Sequence, residues 1–168
     1  MWTWGSCTPA RGCHLLVAAS DKGIVKLSIA SSQAQFLAEL EREFPGQTWK
    51  RDDAAPAIAA AARQLTEYFA GKRREFDLPL DAHGTPFQKR VWNALRRIPY
   101  GETRSYGDIA RAAGSPKGAR AVGMANHNNP IGIVVPCHRV IASDGSLGGY
   151  GGGLELKRRL LELEAAGR

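Results

Sequence analysis

Cysteine is scarce in this chain of 168 residues: there are three, Cys7, Cys13 and Cys137. An odd count excludes a fully paired disulfide framework and fits a reducing compartment. No apolar run approaches the roughly 20 residues that span a bilayer, so no membrane partner is expected. Met1-Trp2-Thr3-Trp4-Gly5 has neither a basic start nor a following apolar stretch of signal-peptide length, which points away from secretion and toward the cytoplasm. Internal repeats are missing, and so is low complexity beyond an alanine-rich helix. What is present suffices for a core. With 43% hydrophobic and 23% charged residues, the chain is not of disordered composition, and its length suits one domain or two small ones.

Charge is distributed unevenly. Residues 1–84 carry 10 basic and 10 acidic side chains, whereas residues 85–168 carry 13 and 6, so the whole net charge of +7 lies in the second half. A one-sided basic field suits a polyanion such as nucleic acid or an anionic membrane surface, and equally a solvated surface chosen for solubility. Charge alone does not decide among these.

Sequence pattern predicts an α/β N-terminal domain over 1–80, a connector at 81–84 and a second domain over 85–168. His14 to Ala19 and Ile24 to Ile29 read as a β-hairpin across Ser20-Asp21-Lys22-Gly23. Gln33 to Glu43 and Ala54 to Ala70 read as helices, the second burying Ile58, Leu65, Tyr68 and Phe69. Phe76 to Leu80 reads as an edge strand ending at a proline. Beyond the connector, Thr85-Pro86 supplies an N-cap and a first-turn proline for a helix carrying Phe87, Val91, Trp92 and Leu95. Tyr106 to Ala113 and Pro116 to Asn126, joined through Gly114-Ser115, carry the signature of a helix-turn-helix. Ile131 to Val135 reads as a short buried strand. Leu154 to Ala165 reads as a closing helix with Leu156, Leu160 and Leu163 inward. The second domain is thus mostly helical, of winged helix-turn-helix type.

Cys137 is the residue with most chemistry around it. A free cysteine is commonly a small buried hydrophobe. This one follows Pro136 and precedes His138 and Arg139, two groups able to stabilise a thiolate and lower its pKa. On an extended segment neighbouring side chains point to opposite faces, so a bridging water or a local twist is needed for His138 to act on the sulfur. A helix pair bearing Lys117 and Arg120, shortly before such a cysteine, points to a thiol acting on DNA.

Val135-Pro136-Cys137-His138-Arg139-Val140, Arg120-Ala121-Val122-Gly123, Asn129-Pro130 and Gly148-Gly149-Tyr150 occur in one order and spacing. In these the sequence resembles the O6-alkylguanine-DNA alkyltransferases, nearly continuously from about Pro86 to Glu164. Residues 1–80 fit that family in outline, as its variable N-terminal α/β domain. The resemblance implies repair of guanine, and less efficiently thymine, alkylated on oxygen, by irreversible single-turnover transfer to Cys137 without a cofactor. It implies that His138 is a water-mediated base, that Glu164 orients it and that Asn129 holds the turn before the nucleophile. It implies that Arg120 replaces a flipped-out nucleotide in the stack, and that Tyr106 pushes the target phosphate and hydrogen-bonds the guanine. Backbone groups of Cys137 and Val140 would read the guanine edge, with Tyr150 and Gly151 lining the pocket. The expected partner is double-stranded DNA, bound in the minor groove with little sequence preference, by a monomer.

Two departures from the family stand out. Gly151 replaces a serine or longer side chain, leaving only a backbone N–H toward the alkylated oxygen and a roomier pocket. Asn126-His127-Asn128 is bulkier and more polar than the small-residue turn usual there. Zinc is held by some relatives, and Cys7, Cys13, His14 and His83 could supply four ligands, but their spacing does not match, so no metal is expected. Competing readings are a non-catalytic protein that binds alkylated DNA, which would lack the nucleophile, and a helix-turn-helix regulator with a structural cysteine.

Overall fold

A computed structural model describes residues 1–29 and 31–167. The chain divides into two compact units, Met1–Ala82 and His83–Arg168.

The first unit is built on strands β1 (Trp2–Ala10), β2 (Cys13–Ala19), β3 (Ile24–Ile29) and β4 (Trp49–Arg51) in the order β3-β2-β1-β4. The first three form an antiparallel meander, with Thr3 opposite Ala19 and Val17 opposite Leu27, and β4 runs parallel to β1. Helix α1 (Gln33–Glu43) starts at a capping box in which Ser32 and Gln35 satisfy each other's backbone N–H. Its Phe36 and Leu40 pack on Trp4, Leu16, Ala18 and Val25. Helix α2 (Pro56–Phe69) lies against β1 and β2. Apolar packing on two helices explains why Leu15 through Ala19 are all buried rather than alternating. Gly5 permits the close approach of α2, since a Cβ there would stand 2.7 Å from Ile58 Cγ2.

Two sequence expectations fail in this unit, each for a definable reason. Strand β1 was not anticipated. It carries Gly5, Pro9 and several hydroxyl residues, a poor strand composition, yet it lies between β2 and β4, and its pairing becomes irregular between Cys7 and Ala10, beside Pro9. Conversely, residues 76–80 form no strand. Gln64 captures the backbone of Asp77 on both sides, at 3.0 and 2.8 Å, and Pro79 has no N–H for a ladder. Only Leu80 forms a single bridge, to Ile24. Phe69, expected in the core, is half-buried, while Gln64 and Ala61 are buried.

The second unit comprises α3 (Pro86–Arg96), β5 (Arg104–Ser105), α4 (Tyr106–Ala112), α5 (Ala119–His127), a 3-10 turn Cys137–Arg139, β6 (Val140–Ile141) and α6 (Leu154–Ala166). Helix α3 opens on a capping box of Thr85 and Gln88 with Pro86 in its first turn, and α4 on one of Ser105 and Asp108. Gly114, at φ +78°, makes the reversal between α4 and α5. Parallel pairing of β5 with β6 ties the entry of the helix pair to the exit of the cysteine turn.

Residues 131–135 are not a strand. Val134 N–H donates to Gly132 O at 2.8 Å and Val135 N–H to Ile131 O at 2.9 Å, so the chain coils on itself. Ile133 sits at φ +71°, a costly conformation for a β-branched side chain. These residues are apolar because the turn is buried, not because they join a sheet.

Candidate active site around Cys137

Strain at Ile133 is held by one side chain. Asn129 donates through Nδ2 to Val135 O at 2.9 Å, and its Oδ1 accepts from Ile131 N–H at 3.0 Å, clamping both ends of the turn. The chain leaves this clamp through Pro136 into the 3-10 turn that carries Cys137, His138 and Arg139, all buried. In that turn the three side chains radiate rather than alternate.

The Arg139 guanidinium is taken up by Glu164 and a backbone carbonyl. It donates to Glu164 from Nε at 2.8 Å and from its terminal NH2 at 3.1 Å, and to Ile98 O at 2.7 Å. His138 meets the same carboxylate, Nε2 to Glu164 Oε2 at 2.7 Å. Burial pulls the His138 pKa down, more strongly than Glu164 raises it. A neutral ring bonded to a carboxylate must place its proton on Nε2, so Nδ1 carries a lone pair. That Nδ1 is buried and has no hydrogen-bond partner among the described residues.

The thiol is shaped by Asn129, which the sequence named, and by Lys157, which it did not. Burial pushes the Cys137 pKa up, opposed by a hydrogen bond from the Asn129 side chain and the charge of Lys157. The expectation of a thiolate favoured by Arg139 is therefore corrected: Glu164 neutralises that cation, and Lys157 supplies the positive field. Lys157 is fully buried and donates to Val140 O at 2.6 Å, to Gly149 O at 3.1 Å and to Leu147 O. Burial lowers its pKa, against the opposite pull of Cys137.

Sequence reasoning missed Lys157 because it assigned the inward face of α6 to Leu156, Leu160 and Leu163. The buried set is Lys157, Leu160 and Glu164, while Leu156 and Leu163 are half-buried. A lysine and a glutamate seven apart, with a leucine between them at helical spacing, was the available signal.

Beside this network lies a cavity of about 300 Å³ lined by Tyr106, Gly123, Asn126, His127, Gly149, Tyr150 and Gly151. It brings together three of the sequence-predicted residues, Tyr106, Tyr150 and Gly151. The Tyr106 hydroxyl accepts from the Gly149 backbone, and burial raises its pKa. A side chain added at Gly151 would meet open space. Cys137 is not itself a lining residue, but its carbonyl accepts from Asn126 Nδ2 at 3.3 Å. Val140 is buried, and its carbonyl is already bonded by Lys157. Arg120, the second residue of α5, is exposed, as are Met124 and His127 on the same helix.

Among the described residues no group of three or more His, Cys, Asp or Glu is placed to hold a metal ion. Cys13 is buried and His14 exposed, on successive positions of β2, and Thr8 Oγ1 lies 3.1 Å from His14 Nδ1. Among the described residues no helix is long and apolar enough to cross a membrane.

Two family models match the chain. The DNA binding domain of 6-O-methylguanine DNA methyltransferase matches residues 86–166, and the ribonuclease-like domain of the same family matches residues 14–82. A methylated-DNA–protein-cysteine methyltransferase of Mycobacterium bovis is 52% identical over 153 residues, covering 90% of this chain and 92% of that protein. A constitutive one of Bacillus subtilis is 59% identical over 110 residues, covering 65% and 67%. The crystal structure of Mycobacterium tuberculosis O6-methylguanine methyltransferase superposes with a TM-score of 0.83 at 44% identity, covering 100% of this chain and 95% of that one. OGT from the same organism, in complex with DNA, superposes with a TM-score of 0.82 at 44% identity, covering 98% and 94%.

Proposed function

The chain belongs to the 6-O-methylguanine DNA methyltransferase family, and from that premise we propose that Cys137 is the acceptor to which it moves an alkyl group from O6-alkylguanine. DNA is its partner and alkyl transfer to a protein cysteine, in DNA repair, its reaction. The observation that carries the residue assignment is the buried, unpartnered Nδ1 of His138, with Nε2 held by Glu164.

Because burial raises the pKa of Cys137, a resting thiolate is disfavoured and the proton leaves as the sulfur attacks. His138 Nδ1 accepts it through one relay water, and the imidazolium that forms is stabilised by Glu164. Asn129 and Lys157 favour the developing negative sulfur. The S–C bond forms as the bond from carbon to O6 breaks. The electron pair moves into the guanine ring, which takes the proton back from His138 and becomes ordinary guanine. A thioether offers water no good leaving group, so each molecule acts once. O4-alkylthymine reacts by the same displacement, less efficiently.

A thiol that is 6% exposed cannot meet a base inside a duplex, so the nucleotide flips into the cavity. Arg120, exposed at the start of α5, fills the gap in the stack. Tyr106 turns the phosphate and hydrogen-bonds the base, while Tyr150 and Gly151 flank it, and Cys137 and Val140 present backbone groups to its edge. Helix α5 enters the minor groove and contacts backbone without reading sequence, a task for one monomer. All three cysteines are free thiols, which supports a reducing compartment and hence the cytoplasm.

Mass spectrometry of the intact protein after incubation with an O6-methylguanine duplex tests this. One adduct about 14 Da heavier, a methyl in place of hydrogen, is expected on Cys137 and is absent in Cys137→Ser. More than one turnover per molecule, or lesion binding without an adduct, would sink the assignment.

A further inference from the structure

Asn126 lies in the last turn of α5, lines the cavity and is 8% exposed. Its Nδ2 donates to Cys137 O at 3.3 Å, which settles which end of the carboxamide is oxygen. The oxygen, Oδ1, is buried and has no hydrogen-bond partner among the described residues. A buried acceptor without a donor is unfavourable, and residues that keep one in a cavity wall mark a ligand contact or a missing partner.

The chemistry of the base supplies the partner. Alkylation at O6 removes the N1 proton of guanine, so the exocyclic 2-amino group is the one remaining donor on its pairing edge. O4-alkylthymine has lost its N3 proton and has no donor there at all. Oδ1 is an open acceptor for one N–H of that amino group, while Nδ2 of the same side chain holds Cys137 O. Oδ1 is out of reach of water in this conformation, and a small turn of the Asn126 side chain toward the cavity brings it to an incoming donor. A base without that donor leaves it unpaired.

We propose that Asn126 is a specificity-determining residue, its Oδ1 accepting from the 2-amino group of the flipped alkylguanine and so disfavouring alkylthymine. This rests on reading Cys137 as the alkyl acceptor and the adjoining cavity as the base pocket. It assigns to the polar turn at residues 126–128 a role in choosing the base.

Single-turnover rates on duplexes carrying O6-methylguanine or O6-methylhypoxanthine, which lacks only the amino group, test it. The unsubstituted protein is expected to react about 10- to 100-fold more slowly with the hypoxanthine lesion, the range set by one buried hydrogen bond. In Asn126→Leu, which has similar volume and no acceptor, the two rates should fall within about 3-fold of each other. Because each ratio is taken on one preparation, it does not depend on how much of the variant is folded. An unchanged ratio in Asn126→Leu overturns the role of Asn126 while leaving alkyl transfer intact. Equal rates in the unsubstituted protein overturn it without any variant. No Cys137 adduct from either lesion would overturn the functional reading and this inference with it.

Discussion

The two units of this chain bury polar groups in different ways. In Met1–Ala82 the buried polar side chains are Lys26 and Gln64, and each is closed locally. Lys26 meets Glu43 at 2.8 Å and Glu39 at 3.4 Å, and Gln64 completes the backbone of Asp77. Among the described residues there, the unpartnered buried side-chain atom is the indole nitrogen of Trp49, a group with no acid-base chemistry near neutral pH. In the second unit Asn126, His138, Arg139, Lys157 and Glu164 are buried around one cysteine, and the network leaves His138 Nδ1 and Asn126 Oδ1 open. One unit uses buried polarity to close a fold. Among its described residues the other leaves two buried acceptors unpaired, at the places where the proposed reaction brings a proton and a base, which is where departures from full satisfaction are expected in a working site.

The sharpest way to break this contrast is Glu164→Ala. It strands Arg139 and His138 together in the interior, and the expected cost is about 3–5 kcal/mol in urea unfolding, with a loss of transfer rate in the molecules still folded. A loss below 1 kcal/mol would mean that Glu164 is dispensable to the buried network. Arg120→Ala should slow reaction with duplex DNA on the order of 100-fold, the scale of a flipping energy, while reaction with free O6-benzylguanine stays within about 3-fold. Equal loss on both substrates would contradict the flipping role.

Acidity probes the same network more gently. The folded pKa of His138 lies below its ordinary value of about 6.5, so the ring stays neutral at neutral pH and the unfolded chain binds its proton first. The stability contributed by this group is therefore fully present above about pH 6.5 and is lost as pH falls from there toward the folded value. The transfer rate should hold down to that folded value and then fall by up to about 10-fold per pH unit. A rate already falling above pH 7 would mean that the group is not a buried neutral histidine. The smallest effect is expected in the other unit. Gly5→Ala crowds Ile58 and Asp53 and should cost about 1–3 kcal/mol, with the transfer rate per folded molecule changed by less than about 2-fold.

Much of this was legible because it is written locally. Thr85 and Ser105 open helices α3 and α4 through capping boxes that need only residues three apart. Gly114 at the turn between α4 and α5 marks the helix pair, and the Pro136-Cys137-His138-Arg139-Val140 string marks the family. The misreadings share another cause. Strand β1 has an unfavourable composition but lies between two partners, residues 76–80 have strand composition but lose their backbone partners to Gln64, and residues 131–135 are apolar because a strained turn is buried. In each, a non-local partner overrode the local pattern.

By itself, then, the sequence determined where the helices lie, the family and which cysteine to propose as the acceptor, because caps, turns and a short motif act over a few residues. Only the tertiary structure decided what surrounds the sulfur. It turned Lys157 and Glu164 inward on α6, bound Arg139 to Glu164, and left the lone pair of His138 and the amide oxygen of Asn126 without partners among the described residues. Burial and pairing set the charge and proton affinity of those groups, and both arise between segments far apart in the chain.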